Sequence, residues 1–232
     1  MDGTLADTER LKARAYADVI AELLKLDEPD PRVLPLYGAY VGNTDRALCE
    51  AMVGEFDIAD LLQDNVQEPW EALHTLRLDH YRRTHGQPEN IARHAIQHNV
   101  NLLRSQHAAG RTVAVATSSM TDEATRVLQA IGVFDLLAAL VGRDQVTNAK
   151  PHPEIYLHTA EVLRIEPAQC IVIEDSQLGA ASAMAANMPC VIVANQFTDD
   201  PLRTQTEIDQ QWIVYEPDLV QKTVEARIAA TR

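Results

Sequence analysis

The stretch Cys170-Ile171-Val172-Ile173-Glu174-Asp175-Ser176-Gln177-Leu178-Gly179 decides how the rest of the chain is read. A short apolar run with the β-branched content of a buried strand passes straight into two adjacent carboxylates and then a helix start. Neighbouring carboxylates there repel each other and lose solvation unless a hard cation such as Mg²⁺ takes them as oxygen ligands. Capping of the following helix by Asp175 or Ser176 explains one acidic residue but not both.

Working outward, the same alternation recurs. The pattern predicts a helix from Glu89 to Ala109 stopped by Gly110, a strand from Thr112 to Ala116, and a helix from Thr121 to Ile131 stopped by Gly132. It then predicts an apolar run at Leu136 to Val141, a helix from Pro153 to Leu163, a strand from Cys170 to Ile173, a helix from Ser176 to Asn187 and a strand from Cys190 to Ala194. Alternating strands and helices with apolar strands imply a doubly wound parallel α/β sheet covered on both faces, with ligands bound beyond the strands' carboxyl ends. Nothing between Thr8 and Pro88 reads as a strand. A helix is predicted from about Thr8 to Leu26, a loop from Asp27 to Pro35, a helix capped by Thr44 through Met52, and helical pattern from Glu68 to His85 ending at Gly86. Residues 9–90 are therefore expected to form an all-helical insert in an α/β core of residues 1–8 and 91–232.

Composition narrows the function. The 232 residues carry a formal charge of −14, which repels polyanions and argues against nucleic-acid and anionic-membrane partners. No run approaches a membrane span and no basic-then-apolar leader is present, so cytoplasm is the expected compartment. Cys49, Cys170 and Cys190 are far apart and read as reduced thiols. His94 and His98 have the i,i+4 spacing of a ligand pair but no third ligand in sequence, and read as a solvated helix face.

Two further segments carry polar groups at expected strand ends or loops. Thr117-Ser118-Ser119 follows a strand with hydroxyl and N–H donors suited to phosphate oxygens, or simply caps the next helix. Lys150, in Asn148-Ala149-Lys150-Pro151-His152-Pro153, sits in a loop stiffened by proline; it is either a fixed ammonium for an anionic site or a solvent-facing lysine. His152 reads as a surface imidazole.

Asp2-Gly3-Thr4-Leu5, Thr117-Ser118-Ser119, Lys150-Pro151 and Glu174-Asp175-Ser176, in this order, resemble the four motifs of the haloacid dehalogenase-like hydrolases. The likeness is to the branch of β-phosphoglucomutase and sugar-phosphate phosphatases, whose helical cap follows the first motif. The resemblance implies Mg²⁺-dependent phosphoryl transfer through an aspartyl-phosphate. It makes Asp2 the acid and base, with its main-chain carbonyl on the metal, and Thr117, helped by Ser118, the phosphate-holding hydroxyl. It makes Lys150 the charge-stabilising lysine, Glu174 and Asp175 the metal ligands, and Gly3 and Thr4 the turn beside substrate.

One element of the pattern falls outside the chain. The family places an apolar strand and the nucleophilic Asp two residues before Asp2, ahead of Met1, so the chain as written is expected to be nearly inert. Either translation begins further upstream, with Met1 the spacer of Asp-x-Asp, or the chain is a non-catalytic relative; the surviving motifs favour the first. In the cap, Lys12, Arg14, Tyr40, Asn43 and Arg46 are candidate substrate contacts, or, for Arg46, an exposed helix cation. Gly42-Asn43-Thr44-Asp45-Arg46 resembles the cap's substrate loop, but Asp45 stands where the mutase branch has its second-phosphate Arg, and Lys12 where it has a His. These departures favour a phosphatase acting on a small phosphorylated metabolite, as a monomer or weak homodimer, over a phosphosugar mutase.

Overall fold

The computed structural model describes residues 1–41, 43–62 and 68–231, so Gly42 of the predicted substrate loop lies outside the described residues. Its first half is helical: α1 (Thr8–Leu24), α2 (Val33–Ala39), α3 (Asp45–Phe56) and α4 (Pro69–Arg83). Thr44 caps α3 by accepting from the Ala47 amide, as the sequence predicts. The α1 helix has two apolar faces. Tyr16, Val19 and Ile20 join Met52, Phe56 and Leu73 in one buried cluster, while Leu11 and Ala15 pack with Ile91, Val100 and Leu128 in another. Each large side chain buried this way contributes about 1.5–3 kcal/mol, so α1 belongs energetically to the cap and to the body beneath it.

Two predicted boundaries shift for identifiable reasons. The loop expected through Pro35 ends at Arg32, because Pro35 lies in the first turn of α2, where amides lack intrahelical partners. The helix expected from Glu89 to Ala109 is two, α5 (Pro88–Arg93) and α6 (Gln97–Ala108). Between them the chain pairs with the N-terminus: Ala95 bridges Ala6, the Ile96 amide donates to the Leu5 carbonyl at 2.9 Å, and the Asp7 amide donates to the His94 carbonyl at 2.8 Å.

The second half alternates as expected: β1 (Ala114–Ala116), α7 (Thr121–Ala130), β2 (Ala139–Val141), α8 (Glu154–Leu163), β3 (Val172–Glu174), α9 (Gln177–Ala185) and β4 (Cys190–Val193). After them come α10 (Asp199–Thr204), β5 (Ile213–Val214) and α11 (Val220–Ala230). The pairings among β1 to β5 are all parallel, but the sheet is in two pieces. Val115 pairs with Leu140 in the first; Ile173 pairs with Val191, and Ile192 with Ile213, in the second. Between β1 and β3 runs an apolar channel of about 710 Å³, lined by Leu103, Val113, Val115, Ile171, Ile173 and Val224, with Met1 against it. The buried Asn99 also lines the channel; its Nδ2 donates to the Thr4 carbonyl at 2.6 Å, and its Oδ1 has no hydrogen-bond partner.

The three cysteines are free, with Cys49 and Cys190 buried. Among the described residues, no helix is long and apolar enough to cross a membrane.

Candidate active site

The carboxyl ends of β1 and β3, the N-terminal turn and the cap enclose a second cavity of about 380 Å³. Asp2, Lys12, Thr117, Ser118, Lys150, Glu174 and Asp175 all line it. The sequence predicted this convergence from segments more than 170 residues apart.

Asp2 enters on a tight turn in which the Gly3 amide donates to the Ala6 carbonyl at 2.9 Å and the Leu5 amide to the Met1 carbonyl at 2.7 Å. One carboxylate oxygen accepts from Thr8 and pairs with Lys12 Nζ at 2.9 Å; the other accepts from Ser119 Oγ at 2.6 Å. Burial alone would raise the Asp2 pKa, but the Lys12 ammonium, then the N-terminal ammonium and these hydroxyls, outweigh it and hold the carboxyl well below the usual range. Lys12 is likewise opposed by burial, and Asp2 and Glu9 more than offset that and raise it.

At the end of β3 the two carboxylates differ. Glu174 Oε1 accepts from Lys150 Nζ and from the Tyr156 hydroxyl at 2.5 Å, while Oε2 accepts from the Asp175 amide at 3.1 Å and Ser176 Oγ at 3.4 Å. Burial works against its ionisation, but Lys150, then the N-terminal ammonium, and the Lys150 and Tyr156 hydrogen bonds bring it down to about 2. Asp175 has only neutral donors, Thr4 Oγ1 at 3.2 Å and Asn195 Nδ2 at 2.7 Å. Burial, then the adjacent Glu174, push it up to about 8. A buried acid with that penalty, set among oxygen donors, fits a hard divalent cation.

Two glycines make room for this pair. A Cβ on Gly3, which has φ of +66°, would lie 1.9 Å from Asp175 Oδ2, and one on Gly179 would lie 2.2 Å from Glu174 Cδ. Gly3 and Thr4 therefore stand behind Asp175 and outside the cavity lining, which corrects their placement beside substrate. Their main chain carries the turn while Thr4 reaches back to the carboxylate.

Thr117 is buried at the end of β1; its amide donates to the Val141 carbonyl at 3.0 Å and its hydroxyl accepts from the Ser119 amide at 3.1 Å. Ser118 is exposed at the cavity wall, and Ser119, not Ser118, holds Asp2. Lys150 is 8% exposed, ruling out the solvent-facing alternative.

The cap contributes part of the predicted set, Lys12, Tyr40 and Asn43, and one buried cation that was not predicted. Tyr40 and Asn43 line the cavity, but Arg14 and Arg46 do not. Arg46 is 66% exposed, pairs with Glu50 one turn along its own helix at 2.8 Å and stacks over Trp70, so its placement at the substrate is corrected. The buried cavity cation is Arg77 on α4, 5% exposed, 5.1 Å over the Tyr16 ring and 3.3 Å from Asp45. Its Nε is buried without a hydrogen-bond partner. Sequence reading missed Arg77, Tyr156 and Asn195. Asn195 follows β4, so the rule that places polar strand ends at the site would have found it; Tyr156 lies in the first turn of the helix after Lys150. Nothing local marks Arg77 as buried.

Comparison with known proteins agrees with this geometry. The family profile described as haloacid dehalogenase-like hydrolase matches residues 1–193. Fructose-1-phosphate phosphatase YqaB of Escherichia coli is 28% identical over 193 residues, covering 83% of this chain and 93% of that protein. A phosphoglycolate phosphatase of Thiobacillus denitrificans is 27% identical over 215 residues, covering 92% and 88%. The crystal structure of β-phosphoglucomutase from Clostridium difficile superposes with a TM-score of 0.74 at 19% identity, over 99% of this chain and 94% of that one, which shows a shared fold. With the four motifs gathered at one cavity under a helical cap, the chain belongs to the haloacid dehalogenase-like hydrolases.

Proposed function

We propose that the protein is a Mg²⁺-dependent phosphatase of a small phosphorylated metabolite, a sugar phosphate or a similarly sized ester, working in the cytoplasm. Residues 1–8 and 91–232 form its catalytic body and 9–90 its cap. The reading rests on one observation above all: the Asp175 carboxylate, buried and pushed up to about 8, beside Lys150, Thr117 and Asp2 in one cavity.

Asp175 and the Asp2 main-chain carbonyl would hold the metal, with Glu174 completing the acidic pair. Bound there, Mg²⁺ supplies charge neutralisation for the phosphoryl oxygens. Thr117 and Ser118 bind those oxygens, and Lys150, fixed by Glu174 and Tyr156, offsets their charge. The attacking group is a carboxylate two residues before Asp2, at the end of an extended apolar segment; the channel between β1 and β3 and the unpartnered Asn99 Oδ1 support that placement. Its oxygen bonds to phosphorus as the ester oxygen leaves with a proton from Asp2. Asp2 then takes a proton from water, whose oxygen bonds to phosphorus and releases phosphate with the carboxylate restored. The incoming phosphate's charge opposes Lys12 and raises Asp2, so the proton for the first step arrives with substrate.

The test is an N-terminal extension of about five Val or Ile residues ending in Asp immediately before Met1, assayed with Mg²⁺ beside the given chain. The panel includes fructose 1-phosphate and 2-phosphoglycolate, on which the similar proteins named above act. Phosphate release by the extended form alone is expected. Isomerisation requiring a bisphosphate would replace the phosphatase reading with a mutase, and ligand-induced stabilisation without turnover would make the protein a binding relative.

A further inference from the structure

The sequence singled out His94 and His98 as a spaced imidazole pair and found no third ligand. The fold assembles a different cluster. Asp18, from the middle of α1, meets His80 from the last turn of α4 and His85 from the turn that follows it. One carboxylate oxygen of Asp18 lies 3.1 Å from His80 Nε2 and 2.7 Å from His85 Nε2. One donor atom from each residue falls within 4.8 Å of the other two.

Three features separate this cluster from an ordinary surface ion pair. The first is convergence: an ion pair needs two side chains, whereas here one donor atom from each of three lies within 4.8 Å of the other two, a small adjustment from the roughly 3.4 Å donor spacing of a tetrahedral Zn²⁺ with bonds of about 2.0–2.1 Å. The second is access. The three side chains are 35%, 21% and 23% exposed, so an ion can enter from solvent and keep water as a fourth ligand. The third is field: both histidines stand at the carboxyl end of α4, where backbone carbonyls favour a cation. The cluster is separate from the active-site cavity, which takes Arg77, Tyr81 and Arg82 from the same helix but neither histidine.

We propose that Asp18, His80 and His85 form a Zn²⁺ site that ties α1 to the end of α4, where the chain leaves the cap for the body. Two neutral imidazoles and one carboxylate are a borderline donor set that selects Zn²⁺, or Co²⁺ as its spectroscopic stand-in, over the Mg²⁺ that an all-oxygen site prefers. Metal binding replaces the shared Asp18 hydrogen bonds with three bonds to one ion and holds the two helices together.

The experiment titrates the full chain with Zn²⁺ by calorimetry, in a large excess of Mg²⁺ that occupies the active-site carboxylates, and follows Co²⁺ absorption in the visible region under the same conditions. One equivalent is expected to bind, to give the intense bands of a tetrahedral ion, and to raise Tm by about 5–10 °C at a hundredfold excess over Kd. H80Q, H85Q and D18N should each weaken binding at least tenfold while keeping the metal-free Tm, and the double substitution of His94 and His98 to Gln should leave it intact. Binding that survives H80Q and H85Q, or is lost with His94 and His98, overturns the proposal. So does the absence of micromolar affinity in a chain whose metal-free melting is cooperative. None of these readouts depends on turnover, so they stand apart from the phosphatase test.

Discussion

The floor and the roof of the active-site cavity are built differently. On the floor, Glu174 receives four hydrogen bonds, Asp2 is held by two hydroxyls and an ammonium, and glycine makes room behind Asp175. In the roof, Arg77 keeps a buried donor unpaired, and Tyr40 and Asn43 come from a short loop between helices. Groups whose partners already lie within the fold are preorganised for a fixed chemical step, while groups with spare hydrogen-bonding capacity are suited to selecting what enters.

The sharpest way to break this contrast is at Asp175. In the extended form, Asp175→Asn keeps the shape but removes the charge that would hold the cation, and turnover should fall about 10²–10³-fold. Equal losses from Asp175→Asn and from a roof substitution would erase the distinction; steady-state phosphate release measures both. Next is the packing behind it. Gly3→Ala meets Asp175 Oδ2 and a positive φ together, and should destabilise by about 3 kcal/mol, lowering Tm by about 6–12 °C. A melting curve unchanged by Gly3→Ala would mean the turn is not locked against the carboxylate.

A third test reads the floor's charge. With the Asp175 carboxyl raised to about 8 in the metal-free chain, the folded state binds this proton more tightly than the unfolded one. Metal-free stability should therefore fall as pH rises from the ordinary carboxylate range through about 8. Mg²⁺ binding at pH 7 should release about one proton, and none above pH 9. Calorimetry in buffers of different ionisation enthalpy counts it, and no release at pH 7 would mean that Asp175 is not the group meeting the metal.

The same contrast explains what the sequence revealed. Floor residues sit at the ends of apolar strands, so Glu174, Asp175 and Thr117 announce themselves by abrupt changes from apolar to polar at a fixed place in the α/β pattern. Lys150 is marked by the two prolines that follow it, Pro151 and Pro153. The roof offers no such edge: Arg77 and Arg46 both lie on or beside amphipathic helices, and only packing of α4 against α1 decides that one is buried over Tyr16 and the other faces solvent. The split of the helix after Glu89 was equally hidden, because pairing of Ala95 with Ala6 is a contact across 89 residues. The Asp18, His80 and His85 cluster also depends on which helices touch.

The finest discrimination lies within the roof. Arg77→Met keeps the length and apolar stem of the side chain while removing a buried charge, and because its partner Asp45 is 64% exposed no buried charge is left uncompensated. If the guanidinium, through its unpaired Nε, serves an anionic or hydroxyl-rich substrate, KM should rise about tenfold to a hundredfold, the worth of a charged hydrogen bond, with kcat within about twofold. Arg46→Ala removes only an exposed pair with Glu50 and a stack on Trp70, so stability should change by less than about 0.5 kcal/mol and KM not at all. The two arginines have the same chemistry and differ only in burial and aim. A KM shift from Arg46→Ala with none from Arg77→Met would therefore mean that the cap rearranges around substrate, because only a different packing of α3 and α4 could exchange their roles.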